Sequence, residues 1–448
     1  MNDLRPPTAL GMTMALVLVA CSSPGGTPAP ASPPLSIPSS GGASKIKHVV
    51  IVIQENRSFD DLFATFRGAD GATYGYNSKG QKVALTKVAL KEKDIRHAHA
   101  VWVTEYDNGK MDGFDKDTFA GPSRVPAGTY PYQYVDPAQI RPYWEMARRY
   151  VLGDHLFQTQ TSDSFTAHQD LIAGGTVIDS THSIIDSPSS TPYGCDSPSG
   201  TVTSLIDAGG NYLQWQGPFP CLKYATLRDR LDAAGLSWKY YTPQYASKTG
   251  GGIWNAFDAI RAVRYSSEWN ENVSVPQTNV IADAQAGKLP AVSWVVPYVA
   301  DSDHPGTAND AGPSWVAQIV DAIGNNKRLW DSTAIVVVWD DWGGFYDHVK
   351  PPQLDSQGLG FRVPMLVISS YAKAGYVSHT QYEFGSILRF VEENWGLQTL
   401  GTTDARANSI ADCFNFNQPP RAFVPIAAAY SREYFLHEPP TNVPVDDE

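Results

Sequence analysis

The sequence predicts an α/β fold, a mostly parallel sheet sandwiched by helices, and three observations carry that expectation. Short β-branched runs alternate with helical patterns from Lys45 onward, the runs are continuously apolar, and polar residues able to do chemistry follow directly on several of them. The candidate strands are 46–53 (IKHVVIVI), 237–242 (SWKYYT), 291–296 (AVSWVV), 333–339 (TAIVVVW) and 363–369 (VPMLVIS). A strand covered on both faces needs no polar face, and these runs show none. Between them Trp315, Ile319 and Ile323 recur at a spacing of four, and Phe384, Leu388 and Val391 at four and three, which puts each set on one face of a helix. Gly396 stands where the second of these helices needs a cap. The stretches 175–225 and 245–280 are polar, rich in Gly and Ser and poorly periodic, and read as long insertions or lids.

Composition bounds the function. A chain of 448 residues, 42% hydrophobic, is ample for a full core. Its 34 basic against 46 acidic residues give a net charge of −12, which repels a nucleic-acid backbone and sets that class of partner aside. Beyond the N-terminus no apolar run reaches the ~18 residues of a membrane-spanning helix. Residues 1–20 read as a lipoprotein signal peptide: Arg5, an apolar stretch from about Ala9 to Ala20, then Leu18-Val19-Ala20-Cys21, which resembles a bacterial lipoprotein cleavage box. Lipid on Cys21 is favoured over an ordinary secretory signal. Residues 21–44, mostly Pro, Gly, Ser and Ala, make a flexible tether, and 45–448 a single catalytic domain. The expected location is therefore outside the cytoplasm, with a lipid anchor in a bacterial membrane. In that oxidising setting Cys195 and Cys221, 26 residues apart, are expected to pair, leaving Cys413 as a small buried thiol.

In open α/β sheets ligands bind beyond the carboxyl ends of the strands. Three segments sit there: Gln54-Glu55-Asn56-Arg57-Ser58-Phe59-Asp60 after VVIVI, Trp339-Asp340-Asp341-Trp342-Gly343-Gly344 running on to His348 after AIVVV, and Ser302-Asp303-His304-Pro305 shortly after SWVVP. A carboxylate and an amide from one strand end, with two adjacent carboxylates from another, supply hard oxygen ligands to one shared divalent cation. Composition alone reads the Asp-Asp-Trp-Gly-Gly turn first as a solvated loop with a capping aspartate. Gly343-Gly344 lets the backbone turn sharply behind the aspartates.

The ordered set of motifs resolves that choice. IKHVVIVIQENRSFDDLF (46–63), Asp94-x-x-His97, DNGKMDGF (107–114), FQTQTSDSFTAHQDLIAG (157–174), LPAVSWVVPYVADSDHP (289–305) and WDDWGGFYDHVKPP (339–352) through SILRFVEENWGL (386–397) span most of 45–420. With them the chain resembles the bacterial phosphoesterase family that contains non-haemolytic phospholipases C and respiratory-burst-inhibiting acid phosphatases. The resemblance implies an alkaline-phosphatase-like core, one divalent metal ion of open identity (Ca, Mg, Mn or Fe) held by Glu55, Asn56, Asp340 and Asp341, and a nucleophile best matched by Ser164, with Ser162 and Thr166 close by. His97 and His304 match histidines that face the phosphoryl group in that family. His168 and His348 lie inside family motifs and serve equally to orient a loop or to touch substrate. The remaining histidines read as ordinary core or surface residues.

A metal-bound serine alkoxide attacking phosphorus would give a phosphoseryl intermediate, with Ser164 also a metal ligand and the two histidines stabilising the transferred group. A phospholipid headgroup is the favoured substrate, from the family label and the lipid tether; serine rather than threonine at 164 favours instead the acid-phosphatase branch, acting on phosphomonoesters. A surface lipoprotein that keeps the fold without catalysis is a third reading. A sulfatase is disfavoured, because no Cys- or Ser-x-Pro-x-Arg motif occurs.

Overall fold

The computed structural model describes Met1 and residues 44–243, 254–306 and 309–439. The rest of the leader, Cys21 and all but the end of the tether lie outside the described residues. Among the described residues the main sheet has eight strands: β1 (His48–Gln54), β2 (Val151–Gly153), β3 (Trp238–Tyr241), β4 (Val273–Ser274), β5 (Val292–Val295), β6 (Thr333–Trp339), β7 (Met365–Ser369) and β8 (Tyr376–Ser378). They lie in the order β4-β3-β5-β1-β6-β7-β2-β8, and only β7 runs against its neighbours. The five predicted strands are all present within two residues of their predicted limits. Val49–Ile53 and the whole of β6 are buried, as strands flanked on both sides and covered on both faces must be.

The helices cover this sheet as their spacing predicts. Among them are α1 (Phe59–Phe63), α2 (Arg141–Arg149), α3 (Ser164–Ala173), α4 (Gly312–Gly324) and α5 (Phe384–Trp395). Trp315, Ile319 and Ile323 are buried on α4, as are Phe384, Leu388 and Val391 on α5, which ends at Gly396 with φ 65°. The Trp294 indole on β5 donates to the Leu171 carbonyl at 2.9 Å and docks α3 on the sheet.

Both stretches read as insertions are more structured than expected. Within 175–225 a small antiparallel sheet pairs His182–Ile185, Ser204–Asp207 and Tyr212–Leu213. The described part of 245–280 sends Trp254, Phe257, Ile260 and Val263 into the core and contributes β4 to the sheet edge, so it is part of the domain rather than a lid. Cys195 and Cys221 are bonded, and Cys413 is a buried free thiol. Closing a loop of that length restrains the unfolded chain by about 3.5 kcal/mol. Cys195→Ser with Cys221→Ser should therefore lower the unfolding free energy by roughly 3 kcal/mol, read from urea denaturation.

A buried ionic knot clamps the loop after β6. Arg362, wholly buried, spans both Asp347 oxygens at 2.8 and 3.0 Å, donates to the Asp70 and Asp154 carbonyls and lies over the Phe59 ring. His348 Nδ1 meets Asp60 Oδ2 at 2.7 Å. Burial opposes charge on this imidazole, but the hydrogen bond and charge of Asp60, with Asp347 behind it, win and push it up to about 9 from 6.5. A group whose folded pKa is raised stabilises fully below its unfolded value, and that stabilisation disappears as pH climbs through the folded value. The urea midpoint should thus fall between pH 6.5 and about 9, and His348→Gln should flatten that fall.

Candidate active site

Three chain segments converge at the carboxyl ends of the central strands. β1 and β6 are paired in register from His48–Thr333 to Gln54–Trp339, so the residues that follow them emerge side by side. The Asp340 amide donates to the Gln54 carbonyl at 3.0 Å, and the Asn56 amide donates to Asp340 Oδ1 at 2.9 Å. Asn56 sits at φ 54°, a left-handed conformation that asparagine tolerates better than most residues. Opposite it, Gly343 has φ 62°, and a Cβ there would lie 2.3 Å from the Asn56 carbonyl oxygen. The glycine turn predicted from sequence is thus required twice, by its torsion and by the close approach of the two loops.

The third segment is the start of α3. Ser164, its first residue, donates from Oγ to Asp341 Oδ2 at 2.9 Å and lies 3.4 Å from Asn56 Oδ1. One turn on, on the same face, His168 Nε2 meets Glu55 Oε1 at 3.0 Å and Asp340 Oδ2 at 3.7 Å. Glu55, Asn56, Ser164, His168, Asp340 and Asp341 are all wholly buried. The structure therefore brings together every metal-ligand candidate drawn from the sequence and adds His168, whose role the sequence left open.

Both phosphoryl-facing candidates are there too. His97 Nδ1 donates to the Ile95 carbonyl at 2.8 Å, so its Nε2 accepts from Asn56 Nδ2 at 2.6 Å; the same nitrogen lies 3.7 Å from Asp341 Oδ2. His304 Nδ1 donates to the Pro305 carbonyl at 2.6 Å, leaving Nε2 as the nitrogen that takes or gives a proton. The rings of His97 and His304 are 6.2 Å apart. A buried chain of hydrogen bonds holds the His304 loop to the strand ends: Gln54 donates to the Tyr143 hydroxyl, Tyr143 donates to Asp303, and the Trp339 indole donates to Asp303. Burial pushes the Asp303 carboxyl up to about 6, against the hydrogen bond from Tyr143 and the charge of Arg57.

Among the described residues, two clusters of carboxylate and imidazole have donor atoms within 4.8 Å of one another: Glu55–His168–Asp340 and Asp60–Asp347–His348. They differ in charge balance. The second already holds the Arg362 guanidinium against Asp347 and Asp60. In the first, burial and then the neighbouring Glu55 push Asp340 up to about 8, with His168 and the Asn56 amide pulling the other way. Two buried carboxylates, an imidazole nitrogen, and the adjoining oxygens of Asp341, Asn56 and Ser164 form a donor set that fits one hard or borderline divalent cation, whose charge would relieve that repulsion.

The Phosphoesterase family matches residues 46–398. The non-hemolytic phospholipase C of Pseudomonas aeruginosa is 27% identical over 433 residues, covering 85% of this chain, which in turn spans 58% of that enzyme. Phospholipase C B of Mycobacterium tuberculosis is 25% identical over 448 residues, with 87% of this chain and 81% of the relative covered. Among solved structures, a protein in the alkaline phosphatase superfamily from Vibrio parahaemolyticus aligns with 83% of this chain and 72% of its own, at 11% identity and a TM-score of 0.38. The family match runs from β1 through the last turn of α5 and takes in every residue of the convergent site, and the chain belongs to the Phosphoesterase family.

Proposed function

We propose that this protein is a metal-dependent phosphoesterase that cleaves phosphoester bonds through a phosphoseryl intermediate, with a phospholipid headgroup as the favoured substrate. The observation that carries the reading is the 2.9 Å contact of Ser164 Oγ with Asp341, in a buried site where Glu55, His168 and Asp340 form a cation-sized cluster. The relatives named phospholipase C support the lipid substrate.

The chain's own groups divide the work. Glu55, His168, Asp340 and Asp341 would hold the cation, with Asn56 and Ser164 beside them; when bound, it supplies positive charge that favours the serine alkoxide and offsets charge gathering on the phosphoryl oxygens. Asp341 takes the Ser164 proton as Oγ bonds to phosphorus and the P–O bond to the alcohol breaks. The departing alkoxide takes a proton from the His304 imidazolium, which His97 flanks. Water, giving its proton back to that imidazole, attacks phosphorus, and the phosphoserine bond breaks as Ser164 recovers its hydrogen. Outside the described residues, the Leu18-Val19-Ala20-Cys21 box supports export and lipid anchoring, which would keep the site at a membrane surface.

Assay of the metal-loaded protein on p-nitrophenylphosphorylcholine beside p-nitrophenyl phosphate tests this. Turnover of the choline diester is expected. Turnover of the monoester alone, the outcome favoured by serine at the nucleophile position, would convert the reading to acid phosphatase, and turnover of neither would end it.

A further inference from the structure

Trp254 carries a buried donor that the fold leaves unused. The residue is 1% exposed, and among the described residues its indole N–H has no hydrogen-bond partner. Buried donors are nearly always paired, so an exception asks for an explanation. Trp102 and Trp315 share it, but they sit among other aromatic rings, stacked on Tyr106 at 4.5 Å and against Phe435 at 5.4 Å. Trp254 lies between two imidazoles of the reaction site. Its ring centre is 6.5 Å from that of His168 and 5.9 Å from that of His304. His304 is followed by His97 at 6.2 Å, so the four rings form an arc. Its two ends, His168 and His97, come within 3.7 Å of Asp340 and Asp341.

Trp254 is held there by groups tied to the nucleophile's own helix. Its carbonyl accepts from the Tyr240 hydroxyl, which also accepts from the Ala256 amide, and Gln169 on α3 donates to the Ala256 carbonyl at 2.9 Å. An indole N–H donates at any ordinary pH and neither accepts a proton nor ligates a cation. Such a group in this arc can serve one partner well, an anionic oxygen.

We propose that Trp254 is a substrate-binding residue whose indole N–H donates to a non-bridging phosphoryl oxygen, in the arc of rings it shares with His304. The inference rests on the phosphoesterase reading above, and it applies equally to a phosphate monoester, a diester or free orthophosphate, since all present the same oxygens. Trp254→Phe keeps an aromatic ring and removes the donor together with part of the buried ring volume. It is expected to lower kcat/KM by about 10- to 100-fold and to weaken competitive inhibition by orthophosphate about tenfold, in a variant whose cooperative urea transition shows that it is folded. Unaltered orthophosphate inhibition in that variant would overturn the inference.

A second measurement needs no variant. In wild-type protein loaded with Mg2+ or Ca2+, the assigned Trp254 indole 15N–H resonance should move on addition of orthophosphate. An indole signal that stays fixed up to the highest orthophosphate concentration overturns the inference, whether or not other resonances move. An unmoved indole in a protein that turns over phosphoesters sinks the Trp254 role alone; absence of turnover sinks the broader reading, while the titration still decides this one.

Discussion

Ser164→Ala is expected to remove at least ~10³-fold of turnover while the protein folds and takes up its divalent metal. The size follows from what is lost. Without Oγ there is no atom to bond to phosphorus, and the space left by one hydroxyl gives water no fixed in-line position. The fold has little stake in the change, since Asp341 keeps the Gly343 amide at 2.8 Å on its other oxygen. The neighbours cannot substitute without rearrangement. Ser162 Oγ is engaged with Asp186, accepting its amide at 2.7 Å, and Thr166 Oγ1 donates to the Asp163 carbonyl at 3.2 Å. Initial rates on a p-nitrophenyl ester, with bound metal measured by plasma mass spectrometry, decide the matter. A variant retaining a tenth of wild-type activity would remove Ser164 from the nucleophile role.

What the sequence disclosed follows the range of the interactions involved. The central strands were legible because continuous valine and isoleucine runs have few alternatives to a sheet covered on both faces. The loops after them were legible because strand ends in such sheets are where ligands sit. Trp254, Phe257, Ile260 and Val263 recur at intervals of three, but the Gly-rich residues just before them dilute that pattern, and the stretch reads as an insertion or lid. Strands of two to four residues in 182–213 are too short to show an alternation. His168 stands four residues after Ser164, a spacing that puts both on one helix face. That spacing says nothing of chemistry until α3 is laid across the end of β1 and the imidazole meets Glu55. The Arg362 knot was illegible for a similar reason: it joins Asp60, Asp154 and Asp347, residues brought together only by the finished fold.

The second large effect is at Asp340, where activity and stability should part company. Asp340→Ala is expected to abolish turnover and to weaken divalent-metal binding by at least ~100-fold, more than the loss of an outer partner of a metal ligand costs. Asp340→Asn isolates the charge while keeping the side chain's shape. In the metal-free protein the Asp340 carboxyl is pushed up to about 8 by burial and by Glu55, so its ionised form strains the site. The neutral amide removes that strain. Metal-free Asp340→Asn should therefore unfold at or above the wild-type temperature at pH 8 to 9. With the metal added the order should reverse. A cation at 100 times its dissociation constant stabilises the wild type by about 2.7 kcal/mol, and the variant, unable to hold it, gains little. Melting curves with and without the metal, beside a direct binding titration, read both halves. Wild-type metal affinity in Asp340→Ala would place the cation elsewhere, and the one other carboxylate–imidazole cluster among the described residues, Asp60–Asp347–His348, already has Arg362 in attendance.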